Sequence, residues 1–148
     1  MAVAWVSDLD TGIGVIDDQH KRLLDYINQL AGDLDRASVG RLLADLIDYT
    51  ISHFAFEEGL QIEAGYKHVM AHKAVHAKFI EHVTTFVERH NRGEDVVEDL
   101  YMMLSTWLIN HIKRDDMAYV NEVKANMVDI IAEKIQKEES AWIDRYFK

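Results

Sequence analysis

The chain has 148 residues, no cysteine, no proline and a formal net charge of −10. That length suits one domain with a single core, and the missing cysteines exclude disulfides, thiolate metal sites and a cysteine nucleophile. The negative charge, with no basic cluster to offset it, argues against nucleic acid and anionic membranes as partners. No apolar run approaches membrane-spanning length. The opening "MAVAWVSDLD" has neither the basic nor the apolar region of a signal peptide, so a cytoplasmic protein is expected.

Every long segment carries helical periodicity. After a short N-terminal arm, the first helix is expected over about residues 17–34, with Ile16, Leu23, Leu24, Ile27 and Leu30 as its apolar stripe. The second runs from a Ser38 cap through Leu42, Leu43, Leu46, Ile47 and Ile51 to about Ala64, where Gly65 stops it. A third covers about residues 67–90 and ends near "NRGED". The fourth starts near Glu94 and carries Leu100, Leu104, Leu108 and Ile112. Its pattern continues through Val120, Val123, Met127, Ile130 and Ile131 as a C-terminal helical extension. Four such helices with short links predict an all-α, up-down-up-down antiparallel four-helix bundle.

The histidines are placed where a bundle could use them. His72 and His76 are four residues apart, hence about 40° apart around a helix, so both imidazoles can reach one point. His53 and Glu57 repeat that spacing on the preceding helix. His20 lies near the start of the first helix, and His111 on the fourth is followed by Asp115 and Asp116. Each helix therefore offers an imidazole, and two add a carboxylate. Any one of these residues alone reads more readily as a surface or hydrogen-bonded core residue. Together, set among Ile51, Phe54, Val75, Leu108 and Ile112, they would be expensive to bury without a shared partner, and a metal is such a partner.

A zinc-protease H-E-x-x-H motif is excluded because Lys73 follows His72. The paired E-x-x-H motifs of carboxylate-rich diiron bundles are also missing. The set is too large for one tetrahedral zinc and suits two octahedral-tending ions that share carboxylates, with iron the favoured metal.

The stretches "GIGVIDDQH" ending at His20, "HFAFEE" from His53, "HKAVH" from His72 and "WLINHIKRDDMAY" from Trp107 resemble the hemerythrin family in its prokaryotic, single-domain form. The resemblance spans roughly residues 5–123. It implies two iron ions joined by an oxo or hydroxo bridge, with O2 as the ligand. Carried over by position, His72, His76 and His111 would hold one iron and His20 and His53 the other, with Glu57 and Asp116 bridging. Phe54, Trp107, Leu108 and Ile112 would line the O2 pocket, and Gln19 and Tyr119 would orient ligands.

Helical phase alone favours Asp115, because i+4 lies about 40° from His111 and i+5 roughly 140° away. The family spacing favours Asp116, which a local π-type widening would bring round. Asp115 is then read as a solvated charge, and His68, His82 and His90 as solvated or locally hydrogen-bonded. Gln61 stands where the family usually has methionine, Lys67 where a proline often follows the tyrosine, and Val75 where Glu often precedes the second histidine.

The expected division is a bundle over residues 1–123 and an extension over 124–148. Ile131, Ile135, Trp142 and Ile143 of the extension would pack on the bundle or on a second subunit. The resemblance favours reversible O2 binding for storage, delivery or sensing, with other diatomic ligands or anions as further candidates, and not an enzyme. A diiron oxidase, peroxidase or nitric oxide reductase, or an iron-handling or repair protein, is the competing reading.

Overall fold

The computed structural model describes the backbone of residues 3–147 and the side chains of residues 3–127 and 129–133. A 3-10 turn at Ser7–Leu9 leads to helices α1 (Gly14–Gln29), α2 (Arg36–Ala64), α3 (Val69–Asn91) and α4 (Val97–His111). A π-helical turn, Ile112–Asp116, then joins α4 to α5 (Met117–Phe147). No strand occurs among the described residues. The four-helix bundle expected from periodicity is the fold observed, with α4, the π turn and α5 as one continuous last rod.

Helix ends follow local chemistry. α1 stops five residues early, because the N–H groups of Leu30, Ala31 and Gly32 bond the carbonyls three residues back and tighten the last turn. α2 begins before the expected Ser38. Its N-cap is Asp35, whose carboxylate accepts the Ser38 N–H at 2.8 Å. At its far end Gly65 takes the left-handed conformation (φ 81°) and the Tyr66 N–H returns to the Gln61 carbonyl at 2.9 Å, a turn that disfavours any residue with a Cβ. The arm is tied down twice. Asn28 bonds both the N–H and the carbonyl of Val3, and the Asp17 carboxylate accepts from Thr11 and Gly12.

Two apolar clusters fill the bundle. One contains Leu23, Leu24 and Ile27 of α1, Leu42, Leu43 and Leu46 of α2, Phe79 and Val83 of α3, and Leu100, Leu104 and Leu108 of α4. The other contains Ile13 and Ile16, Phe56 and Leu60, and Tyr119, Val120, Val123, Met127 and Ile131. Chain order alternates between them: second cluster to first along α1, first to second along α2, and first to second again from α4 into α5. Alternation of this kind is what antiparallel neighbours produce. On each rod, the histidines singled out above fall at the changeover.

α5 runs through residue 124 without a break, so the expected limit between bundle and extension falls inside one helix. Met127 and Ile131 are buried in the second cluster. The expected packing of Ile135, Trp142 and Ile143 lies outside the described side chains.

Candidate metal centre

The polar layer between the two clusters is built from the first four helices and the π turn. His20 comes from α1, His53 and Glu57 from α2, His72 and His76 from α3, His111 from α4 and Asp116 from the π turn. All seven are buried, with His20, Glu57 and Asp116 at 0% exposure. Donor atoms of Glu57, His72, His76, His111 and Asp116 lie within 4.8 Å of one another, and so do those of His20, His53 and Glu57. Glu57 belongs to both groups.

The Nε2 atoms point inward. His72 Nε2 is 3.1 Å from both Glu57 Oε1 and Asp116 Oδ1. His20 Nε2 is 3.1 Å from Asp116 Oδ2, and His53 Nε2 is 3.5 Å from Glu57 Oε2. Outward, the other ring nitrogens meet acceptors: His53 Nδ1 meets Gln19 Oε1 at 2.5 Å, His76 Nδ1 meets Glu58 Oε2 at 2.7 Å, and His111 Nδ1 meets Asp115 Oδ2 at 2.8 Å. An Nδ1–H donated outward leaves an Nε2 lone pair facing in. The Tyr119 hydroxyl donates to Glu57 Oε2 at 2.9 Å.

That arrangement suits a cation. His76 Nε2 and His111 Nε2 face each other across 3.1 Å, so when both Nδ1 protons go outward, a shared proton or a metal must lie between them. His20 Nδ1 has no hydrogen-bond partner among the described residues, and the Asp116 oxygens, though within 3.1–3.2 Å of the Nε2 atoms of His20, His72 and His111, are not aligned for hydrogen bonds with them, a costly state for buried polar atoms. A nitrogen–oxygen donor set in a dry interior fits metal ions. Protein groups alone meet the demand with protons. Burial by itself lowers the imidazoles of His20, His72 and His111. The facing Asp116 and Glu57 outweigh it and lift them to about 9, 10 and 9. Burial dominates at His53 and pushes it down to about 3. Burial would raise both carboxyls, but the surrounding imidazoles hold Glu57 and Asp116 well below the usual carboxylate range.

The π turn decides which aspartate enters. It brings Asp116 Oδ1 to 3.2 Å from His111 Nε2, while Asp115 stays at the α-helical i+4 position against the outer nitrogen. Asp115 is therefore a partner of His111, not the solvated charge expected of it. Glu58, which the sequence reading missed, does the same for His76 from a different helix. His68 and His82 are exposed. His90 is not: it is buried against α2, where a Cβ at Gly40 would come within 3.2 Å of its Nε2.

Of the residues expected around an O2 pocket, Phe54, Leu108 and Ile112 are buried and Trp107 is half-buried. Phe54 stacks on His76 with centroids 3.7 Å apart, and Trp107 stacks on His111 at 4.3 Å. A narrow apolar cavity beside them is lined by Phe54, Phe79, Leu104, Trp107 and Leu108, with Thr50. The Thr50 hydroxyl is turned away onto the Leu46 carbonyl.

Fold and site together define a class: helical-bundle proteins with an interior nitrogen- and oxygen-lined cation site. Within it, the chain belongs to the hemerythrin family, as the hemerythrin HHE cation binding domain matches residues 11–123. It is 42% identical over 149 aligned positions to the bacteriohemerythrin of Pseudomonas aeruginosa, covering 99% of this chain and 95% of that protein. Identity to the bacteriohemerythrin of Stenotrophomonas maltophilia is 43% over the same spans. A wild-type hemerythrin crystal structure, 32% identical, superposes with a TM-score of 0.76 and covers 82% of this chain and 97% of that one. No helix among the described residues is long and apolar enough to cross a membrane.

Proposed function

We propose that the layer holds two iron ions with an oxo or hydroxo bridge and binds O2 reversibly. His72, His76 and His111 serve one ion, His20 and His53 the other, and Glu57 and Asp116 span both. The observation that carries this reading is the division of the donor atoms into a group of five and a group of three that share Glu57. The smaller group brings only two imidazoles to its ion, which leaves room there for a small exogenous ligand.

Iron at this position supplies the electrons that reversible O2 binding requires. The chain's own residues do the rest. Glu58, Asp115 and Gln19 fix the imidazoles through their outer nitrogens, so the inward lone pairs are aimed before metal arrives. Phe54, Trp107, Leu108 and Ile112 form an apolar wall that disfavours escape of the ligand as a hydrated anion, so that it leaves as neutral O2. No acid or base side chain stands among those four wall residues, which favours a carrier, store or sensor over an oxidase.

The test is anaerobic loading with ferrous iron, followed by a metal count and by cycling between air and inert gas while visible absorbance is recorded. Two irons per chain and a reversible colour change are expected. One-way oxidation would transfer the assignment to the diiron oxidoreductases, and a single tightly held zinc would remove its basis.

A further inference from the structure

Gln61 is fully buried, and neither its amide nitrogen nor its amide oxygen has a hydrogen-bond partner among the described residues. The unpartnered atoms of His20 and Asp116 find partners in the proposed metal centre. Those of Gln61 do not, because a primary amide keeps its two N–H donors whatever its oxygen contacts. A buried donor of this kind calls for a non-protein acceptor, and water is the ordinary one.

Position says what such a water would touch. His53, Glu57 and Gln61 follow one another at intervals of four along α2, and all are buried, so the amide lies one turn beyond Glu57 on the same face. Side chains so related have Cβ atoms roughly 5–6 Å apart. Their longer polar ends can then approach closely enough for one water to bridge them. Around this end of α2 the remaining neighbours are apolar or already engaged: Leu60, Ala64 and Tyr66 belong to the second cluster, and Tyr119 is bonded to Glu57.

We infer that Gln61 holds an internal water against the Glu57–Tyr119 pair, so that the centre is hydrated on this side and dry on the Phe54–Leu108 side. The consequence, though not the water, rests on the proposed O2 reading: an enclosed water beside Glu57 puts a proton donor next to the centre, which favours loss of reduced oxygen as a protonated species and shortens the lifetime against irreversible oxidation. Gln61 acts here as a positioning residue.

The experiment has two readouts. In 15N-labelled metal-free protein, cross-relaxation between water and the Gln61 side-chain amide should reveal a long-lived contact. In iron-loaded protein, Gln61→Met and Gln61→Leu, which keep volume but remove the anchor, should lengthen the lifetime against oxidation in air by roughly threefold or more. Wild-type oxidation should be slower in D2O than in H2O, and both variants should reduce that difference. Absence of water contacts at the amide overturns the proposal, and so do variants that gain thermal stability with unchanged oxidation lifetimes. The amide measurement needs neither metal nor oxygen, so it still reads the proposal if reversible O2 binding fails.

Discussion

At His111 the imidazole is held from both sides, by Asp115 on Nδ1 and by Asp116 near Nε2, and the two aspartates should fail differently. On the proposed reading, in which Asp116 spans two irons, Asp116→Ala should bring bound iron from two per chain toward none. Asp115→Ala leaves the donor set intact but frees the ring, so iron should still bind with affinity lowered roughly 10- to 100-fold. Metal titrations of both variants decide this; equal losses would show that the bridge assignment is wrong. At the wall, Leu108→Thr shortens a buried side chain and adds a hydroxyl beside the apolar cavity. Irreversible oxidation in air should accelerate in that variant while its circular dichroism stays the same. An unchanged rate would make Leu108 a packing residue only.

Among the elements, the π turn sets the phase of the last rod. The buried series Leu100, Leu104, Leu108 and His111 would continue in α-helical phase through 115, 118 and 122. After Ile112, the buried positions through Met127 are instead Asp116, Tyr119, Val120, Val123 and Met127, so the inward face falls one residue later. The extra residue lets one turn present Asp115 to the outer nitrogen of His111 and Asp116 to the interior, which an unbroken α-helix cannot do. Deleting Arg114 should restore plain α winding with Val120, Val123 and Met127 still facing inward. Such a protein should remain helical and unfold cooperatively in urea while losing iron affinity. Full iron loading in the deletion variant would show that the π turn is dispensable.

For the whole molecule, the polar layer divides two cores, and each core has its own share of stability. Met127 is buried at 0% exposure in the second cluster, so Met127→Ala should cost about 2–5 kcal/mol in urea denaturation with the iron stoichiometry retained. Protonation acts on the layer itself. His20, His72 and His111 have folded pKa values of about 9, 10 and 9, above the ordinary value of about 6.5. Groups raised in this way stabilise the fold fully below the ordinary value, and that contribution disappears as pH climbs through the folded values. Metal-free protein should therefore lose melting temperature progressively from about pH 6.5 up to about pH 10. Iron-loaded protein, whose imidazoles carry metal instead of protons, should lose much less. Parallel melting curves for the two forms would refute the exchange of protons for metal.

The four helices, their antiparallel order and the inward histidines were legible in the sequence because each depends on spacing within one helix. His72 and His76, or His53 and Glu57, share a face by backbone geometry alone, whatever the neighbouring helices do. The choice of Asp116 was also visible, once the family spacing was set against simple helical phase. Pairs that cross between helices were not legible. Glu58 reaches His76 only because α2 and α3 pack with one particular rotation and shift, and in sequence it is simply one of two adjacent glutamates. His90 read as a solvated or locally hydrogen-bonded residue near a helix end, and Gly40 on another helix leaves the space that buries it. Asp115 had the right spacing to reach His111, but which ring nitrogen it meets depends on where the centre lies, and that is set by four helices together. Local periodicity thus determined the elements and the chemistry available on each face, while tertiary packing decided which donors face inward and which groups hold them there.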